Sequence, residues 1–283
     1  MKPSAPRARE TSRKSVAENS RRIPDLFRDW DAVVAQLRKH HKVTVFLDFD
    51  GTLVNIAPRP ELVKLPSAAK KILQRLARHP HVTLVVVSGR RRAELLEHIG
   101  VRGIHYFGLY GWESDAKSGL PEAALAALRQ AQQHLKPLLG KYPAVWIEDK
   151  HSSLSVHLLD VPKASQRRVR RELFRLLTPF RKSLHAVENI RDVEILPRSI
   201  PGKGIAVSRF LRRPGYKHSF PFYFGDDYSD ESGFVAARRG APVQVGNPRP
   251  TRAKYHLRGP SDVLAALAKL EKSLSEQIAR NRK

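Results

Sequence analysis

The sequence has no cysteine. That excludes a disulfide framework, a cysteine nucleophile and any thiolate metal site. Long apolar runs are also missing. The longest uninterrupted run of branched aliphatic residues, Leu84 to Val87, falls far short of the ~18 to 20 residues a membrane helix needs. The first residues are basic, lack an apolar core and carry Glu10 and Glu18. No signal peptide is expected there, and a cytoplasmic location is. Two common site signatures are absent: no glycine-rich loop ends in Gly-Lys-Ser/Thr, and there is no Gly-x-Ser-x-Gly elbow.

Acidic residues are scarce. Asp and Glu number 27 against 52 Lys and Arg, which leaves a formal net charge of +25. Such a balance favours anionic partners, whether nucleic acid, acidic membrane or phosphorylated metabolites, and specifies no fold. The rest is ordinary for a globular chain, with 41% apolar and 28% charged residues. A length of 283 residues suffices for one large domain or two small ones.

Residues 1–22 are rich in Arg, Lys, Ser and Pro and hold few large apolar side chains, so they are expected to form a disordered basic tail. From Ile23 to Leu37 apolar positions recur at helical spacing. Val43 to Leu47 is a short apolar run without alternation, as expected of a strand buried on both faces. A helix from Pro66 to Arg78, a strand from Val82 to Val87, a helix from Arg92 to Ile99 and a strand from Ile104 to Phe107 complete an α/β rhythm.

After about Glu113 the pattern changes. A helix is expected over Pro121 to Leu139, strands over Val145 to Glu148 and Leu154 to Leu159, a basic helix over Lys163 to Leu177, and strands over Leu184 to Val187 and Val193 to Leu196. The α/β rhythm then returns with a helix Lys203 to Leu211, a strand Pro221 to Phe224, a helix Asp230 to Arg238, a strand Pro242 to Val245 and a last helix from Ser261. The expected fold is therefore α/β: a Rossmann-like parallel-sheet core with helices on both faces, interrupted by an α+β cap of order αββαββ. Residues 23–113 and 194–283 form the core in this reading, and residues 114–193 the cap.

Reactive groups in open α/β sheets collect at the carboxyl ends of the strands. The first strand runs into Asp48-Phe49-Asp50-Gly51-Thr52 and the second into Ser88-Gly89-Arg90. Lys203 opens the helix after the insert, and the next strand runs into Gly225-Asp226-Asp227-Tyr228-Ser229-Asp230. Five carboxylates, Asp48, Asp50, Asp226, Asp227 and Asp230, are thus brought to one edge. They cannot all stay ionised without a cation among them. An all-oxygen ligand set suits Mg²⁺. Together with the Ser88 hydroxyl, the Lys203 charge and backbone donors near Gly51 and Gly89, this describes a phosphate site.

These motifs resemble those of the haloacid dehalogenase superfamily of phosphatases. More narrowly, the sequence is similar to the trehalose-6-phosphate phosphatase family. The matching pieces are Leu47 to Leu53, Val87 to Arg90, Gly111-Trp112-Glu113, Glu148-Asp149-Lys150, Gly225 to Glu231, and Val245-Gly246 followed by Thr251 to Leu257. The resemblance implies that Asp48 is a nucleophile forming an aspartyl-phosphate, and that Asp50 protonates the leaving sugar oxygen and then activates water. It implies a Mg²⁺ held by Asp48, the Asp50 carbonyl and Asp226, with Asp227 or Asp230 in support, while Ser88 and Lys203 hold phosphoryl oxygens. Arg90, Glu113, Glu148, Lys150, His157 and Glu194 stand at positions that match family contacts to the sugar.

The chain also departs from the family pattern, with Tyr110 in place of a usual His, Leu159 in place of a usual Arg and Leu196 in place of a basic residue. The expected partner is a small sugar phosphate, with trehalose 6-phosphate foremost and another sugar phosphate or a glycosyl phosphoglycerate as the alternative. A nucleic-acid-binding role, suggested by Arg167-Arg168, Arg170-Arg171, Arg212-Arg213 and Arg238-Arg239, is disfavoured. These pairs are scattered and lack interleaved aromatics. No membrane partner is expected.

Overall fold

The computed structural model of the chain describes residues 23–57, 63–115, 119–189 and 192–281. The basic tail expected over residues 1–22 lies outside the described residues. The chain begins with α1 (Trp30–Leu37), β1 (Val43–Leu47), α2 (Ser67–Arg78), β2 (Val82–Val87), α3 (Arg92–His98) and β3 (Ile104–Phe107). The insert holds α4 (Glu122–His134), α5 (Lys136–Lys141), β4 (Trp146–Asp149), β5 (Leu154–His157), α6 (Lys163–Leu177), β6 (Leu184–Glu188) and β7 (Asp192–Pro197). The chain returns through α7 (Lys203–Leu211), β8 (Phe220–Gly225), α8 (Glu231–Ala236), β9 (Ala241–Val245), β10 (Tyr255–Leu257) and α9 (Pro260–Asn281).

Six parallel strands form one sheet in the order β10-β9-β8-β1-β2-β3. The chain starts at β1, moves outward to β3, then returns to β8 on the other side of β1. The strand order therefore reverses between β1 and β8, the place where open α/β sheets open a crevice at their carboxyl ends. All five residues of β1 are buried. Val43, Val45 and Leu47 pack into one core cluster with residues of α1, α2, α3 and α9, and Phe46 packs into the opposite one with Val207 and Phe210 of α7 and Phe234 of α8. Helices on both faces explain the unbroken apolar run, since each fully buried Leu or Phe contributes about 1.5–3 kcal/mol relative to exposure.

The insert folds around a separate antiparallel sheet of order β4-β5-β7-β6, with its own apolar cluster built from α4, α5, α6 and the strands. β7 belongs to this sheet over its whole length. The boundary expected between residues 193 and 194 therefore cuts through a strand, and the insert runs through Pro197.

Three local expectations are also corrected. The helix expected from Ile23 begins only at Trp30, because the preceding backbone is taken by β10: Leu26 N–H donates to the His256 carbonyl at 3.1 Å and His256 N–H to that of Pro24 at 2.9 Å. The helix expected over 121–139 breaks into α4 and α5, since Pro137 has no N–H for the Gln133 carbonyl and fits only the first turn of a new helix. The helix expected from Asp230 is a short 3-10 turn at Tyr228–Asp230 followed by α8, while β10 was not expected at all. No described helix is long and apolar enough to cross a membrane.

Candidate active site

The register fixes the site. Leu47, the last residue of β1, lies opposite Val86 of β2 and Phe224 of β8. Asp48, Ser88 and Asp226 follow these strands and arrive at one edge. Asp48 N–H extends the ladder by donating to the Phe224 carbonyl at 3.0 Å. Phe49 is fully buried in the core, while Asp48 and Asp50 flank it. The chain then turns sharply through Gly51, whose φ is +79°. A Cβ there would stand 2.1 Å from Asp226 Oδ2, so glycine is required for the Asp226 carboxylate to lie against this turn.

Lys203, at the start of α7, is buried. Its Nζ lies 2.9 Å from Asp48 Oδ1 and 2.7 Å from Asp230 Oδ1. Asp230 is fully enclosed and accepts two more hydrogen bonds, from the Tyr223 hydroxyl at 2.7 Å and the Asp227 N–H at 3.0 Å. Carboxylate oxygens of Asp48, Asp226 and Asp230 all lie within 4.8 Å of one another.

Three acidic groups thus cluster beside one ammonium, with Asp48 and Asp230 buried and Asp226 half-buried. Burial pushes Asp48 up to about 7, with the charges of Asp230 and Asp50 adding to it against the pull of Lys203. Burial and the charges of Asp48, Asp230 and Asp227 raise Asp226 as well. Lys203 rises despite its burial, because Asp230 and Asp48 outweigh the desolvation. A second positive charge at this spot would let all three carboxylates ionise, and its ligands would all be oxygens. The residues present therefore fit a hard divalent cation such as Mg²⁺.

Two of the five carboxylates expected around the metal do not join this group. The Asp50 carboxylate forms a bidentate pair with Arg90, Nε to Oδ2 at 2.7 Å and Nη2 to Oδ1 at 2.8 Å. Only its backbone carbonyl remains as the metal contact that the family resemblance implied. Asp227 caps the 3-10 turn, accepting from Tyr228 N–H at 2.6 Å. Between Asp227 and Asp230, the structure brings Asp230 to the group. Ser88 is buried one residue beyond β2, and its Oγ accepts the Arg90 N–H at 3.2 Å.

The six residues expected to touch a sugar divide into two sets. Arg90 is committed to Asp50. Glu113 is buried and turned toward the start of α3, accepting from Arg92 N–H at 2.7 Å and from the Arg91 side chain at 3.2 Å. It satisfies one free N–H of the first turn of α3 and pairs with the Arg91 guanidinium, and no contact joins it to the cluster on the insert. Glu148, Lys150, His157 and Glu194 do come together on β4, the turn after it, β5 and β7. Lys150 Nζ donates to Glu194 Oε2 at 3.2 Å and lies 4.0 Å from Glu148 Oε2, and Glu148 pairs with His157 Nε2 at 2.8 Å. That last contact holds Glu148 below its ordinary range. Burial works against the Lys150 charge, but Glu194, Glu148 and Asp192 overcome it and hold Lys150 above its usual value. The exposed Trp146 stacks flat on His157, centroids 3.6 Å apart.

Four participants were not expected. Ser153 Oγ donates to Glu194 Oε1 at 2.5 Å and the Tyr110 hydroxyl to Oε2 at 3.2 Å. Tyr223 supports Asp230, and Arg249 donates to the Asp227 carbonyl at 2.7 Å. Tyr110 had a signal, its departure from the family pattern. Tyr223 had none, because it stands in a Phe-rich apolar strand that reads as plain core.

Residues 46–271 match the family model described as Trehalose-phosphatase. A trehalose-phosphate phosphatase of Mycobacterium leprae (strain TN) is 32% identical over 255 residues, covering 82% of this chain and 58% of that protein. One of Mycobacterium avium (strain 104) is 34% identical over 254 residues, covering 83% of this chain and 63% of that protein. The chain thus spans less than two thirds of the length of these curated relatives. Among solved structures, the C-terminal domain of the C. albicans trehalose-6-phosphate phosphatase superposes with a TM-score of 0.75 at 21% identity, over 88% of this chain and 98% of that one. That likeness is one of fold.

Proposed function

The chain belongs to the trehalose-phosphatase family, and from that premise we propose that it is a Mg²⁺-dependent phosphatase that hydrolyses trehalose 6-phosphate to trehalose and inorganic phosphate. The observation that carries the reading is the buried Lys203 held between Asp48 and Asp230, with Asp226 closing the group at the reversal of strand order. A cytoplasmic location goes with a soluble sugar phosphate as substrate.

In this mechanism an Asp48 oxygen attacks phosphorus, the bond from phosphorus to the sugar oxygen breaks, and an aspartyl-phosphate forms. Asp50 gives its proton to the departing oxygen and then takes one from the water that cleaves the acyl phosphate. Both Asp50 oxygens accept from Arg90, so this bidentate pair must open before Asp50 can carry a proton to the departing oxygen. The Ser88 hydroxyl and the Lys203 ammonium bind phosphoryl oxygens, and Asp230 and Tyr223 hold Lys203 in place. Asp48, Asp226 and the Asp50 carbonyl would hold Mg²⁺, with Asp230 beside them. That ion, when bound, neutralises phosphate charge so that a carboxylate can approach.

The antiparallel insert serves as a cap that reads the sugar. Glu148, Lys150, His157 and Glu194 offer both donors and acceptors within one cluster, which suits a polyhydroxylated ligand. The test is phosphate release from a panel of sugar phosphates and glycosyl phosphoglycerates in the presence of Mg²⁺. Trehalose 6-phosphate should give the highest kcat/KM. A clear preference for another member would move the substrate and leave the phosphatase reading standing. No phosphate release from any member would overturn both.

A further inference from the structure

A second charged site lies at the opposite end of the sheet. A cavity of about 420 Å³ opens at the amino ends of β1 and β8, lined by Lys39, His40, His41 and Lys42 on one side and by Lys217, His218 and Arg239 on the other. The segments that build it contain no acidic residue at all: none occurs over residues 32–47, 209–225 or 232–261. Among the described residues, Lys39, Lys42, Lys217 and Arg239 form no ion pair. This sets them apart from Arg75, Lys141, Arg170 and Arg258, which all have carboxylate partners at 2.6–3.1 Å.

We propose that this cavity binds a small multivalent phosphate compound, at a site distinct from the carboxylate edge. Four permanent cations converging on one concavity raise the local concentration of an anion far more than the same charges spread over a convex face. The volume falls within the range of small-molecule sites. The floor is rigid: Thr44 Oγ1 donates to Ser219 Oγ at 2.8 Å, Ser219 Oγ to the Tyr216 carbonyl at 2.7 Å, and Phe220 N–H to the Lys42 carbonyl at 2.8 Å. The His40 ring is fixed by its Nδ1 contact with the His218 carbonyl at 2.8 Å and by a tilted contact with Phe220. The six residue steps from Lys42 to Asp48 span roughly 20 Å of extended chain, so one ligand of this size cannot reach both ends.

A macromolecular polyanion fits less well, because its phosphates must be reached along a continuous surface and these groups line one hollow. Inorganic pyrophosphate is the probe. Calorimetric titration of the full chain in EDTA and low salt should show one site per chain. Affinity should weaken steeply as salt screens the exposed cations. Lys42→Gln combined with Lys217→Gln should weaken binding by at least ~10-fold, about 1.4 kcal/mol. Arg239→Gln alone gives a second, smaller loss. Both side sets are exposed, and an unchanged melting curve without ligand verifies the fold. Asp48→Asn should bind pyrophosphate as the parent does. The proposal fails if no saturable binding is seen, if the lysine pair is silent, or if Asp48→Asn abolishes binding. It fails equally if a single-stranded oligonucleotide binds through these lysines and pyrophosphate cannot displace it.

Discussion

The Tyr110 hydroxyl donates to Glu194 across the junction between the two sheets. Tyr110 belongs to the 3-10 turn at Leu109–Gly111 that follows β3, and Glu194 lies in β7 of the insert. The turn is strained, with φ of +46° at Leu109 and +56° at Tyr110. Left-handed conformations cost a residue with a side chain of order 1–3 kcal/mol each. They are held by Leu109 N–H on the Arg90 carbonyl and Tyr110 N–H on that of Ser88, both at 2.9 Å. The ring covers Gly89, where a Cβ would meet it at 2.9 Å, and lies 5.9 Å from Lys203 Nζ. One tyrosine thus reaches both the backbone beside the carboxylate edge and a carboxylate of the insert.

Tyr110→Phe should therefore act mainly on the sugar end. A hydrogen bond to a carboxylate contributes about 1.5–3 kcal/mol, so kcat/KM for trehalose 6-phosphate should fall ~10-fold or more. Hydrolysis of p-nitrophenyl phosphate should change much less. Steady-state kinetics on both substrates decide it, and equal losses would place Tyr110 in the folding of the turn alone.

The acidic group makes a prediction without any kinetics. A carboxyl raised by burial binds its proton more tightly folded than unfolded, so the folded state gains relative stability at low pH and loses it as pH rises. The window runs from the ordinary carboxylate range near 3.8 to about 7 for Asp48, and Asp226 is raised in the same sense. In EDTA the protein should melt at a lower temperature at pH 8 than at pH 6. Asp226→Asn should shrink that difference, because the amide carries no charge to repel. Mg²⁺ should raise the melting temperature of the parent by binding the folded state and should do so far less for the variant. A parent whose melting is indifferent to Mg²⁺ would dismiss the metal site. Activity should vanish on chelation and return with Mg²⁺.

Gly51→Ala tests the contact with Asp226 directly. The substitution meets two obstacles, a φ of +79° and an Asp226 oxygen 2.1 Å from the new methyl. The carboxylate must move, so Mg²⁺ affinity and turnover should both drop by ~100-fold or more, at a stability cost of about 1–3 kcal/mol. A variant with parental Mg²⁺ affinity would show that Asp226 can sit elsewhere without loss.

What the sequence disclosed here follows from where chemistry meets strand ends. Asp48, Ser88, Lys203 and Asp226 each lie at or next to an element boundary, so reading the residue after each apolar run located them. The direction of a side chain is not carried by spacing. Glu113 has the residue type of a sugar ligand, yet its partner is the N-terminus of α3, a fact that depends on how the turn after β3 folds back. Arg90 faces Asp50 for the same kind of reason. β10 was invisible because three residues, Tyr255 to Leu257, carry no periodicity, and the strand exists through its pairing with β9 and with the backbone near Pro24. Tertiary partners decided these cases, and local pattern could not.

The cap cluster gives the last prediction. Lys150 sits between Glu194 and Glu148, and Glu148 in turn holds His157, which lies under Trp146. Lys150, Glu194, Glu148 and His157 all come from the insert, remote in sequence from Asp48. In the proposed reading they act on hydrolysis through the part of the substrate that is not phosphate. A site built to hydrogen-bond hydroxyls leaves its own polar groups unpaired when the hydroxyls are absent, which penalises the wrong sugar. Lys150→Ala strips Glu194 of one of its three donors and brings Glu148 and Glu194 into uncompensated proximity. Glu148→Ala frees His157 from its carboxylate. Each should lower kcat/KM for trehalose 6-phosphate by at least ~10-fold, about 1.4 kcal/mol of transition-state binding. Turnover of p-nitrophenyl phosphate, which has no hydroxyls to read, should stay within ~3-fold of the parent, about 0.7 kcal/mol. Parallel losses on both substrates would assign these side chains to the stability of the insert, and thermal melting of the variants would then show it.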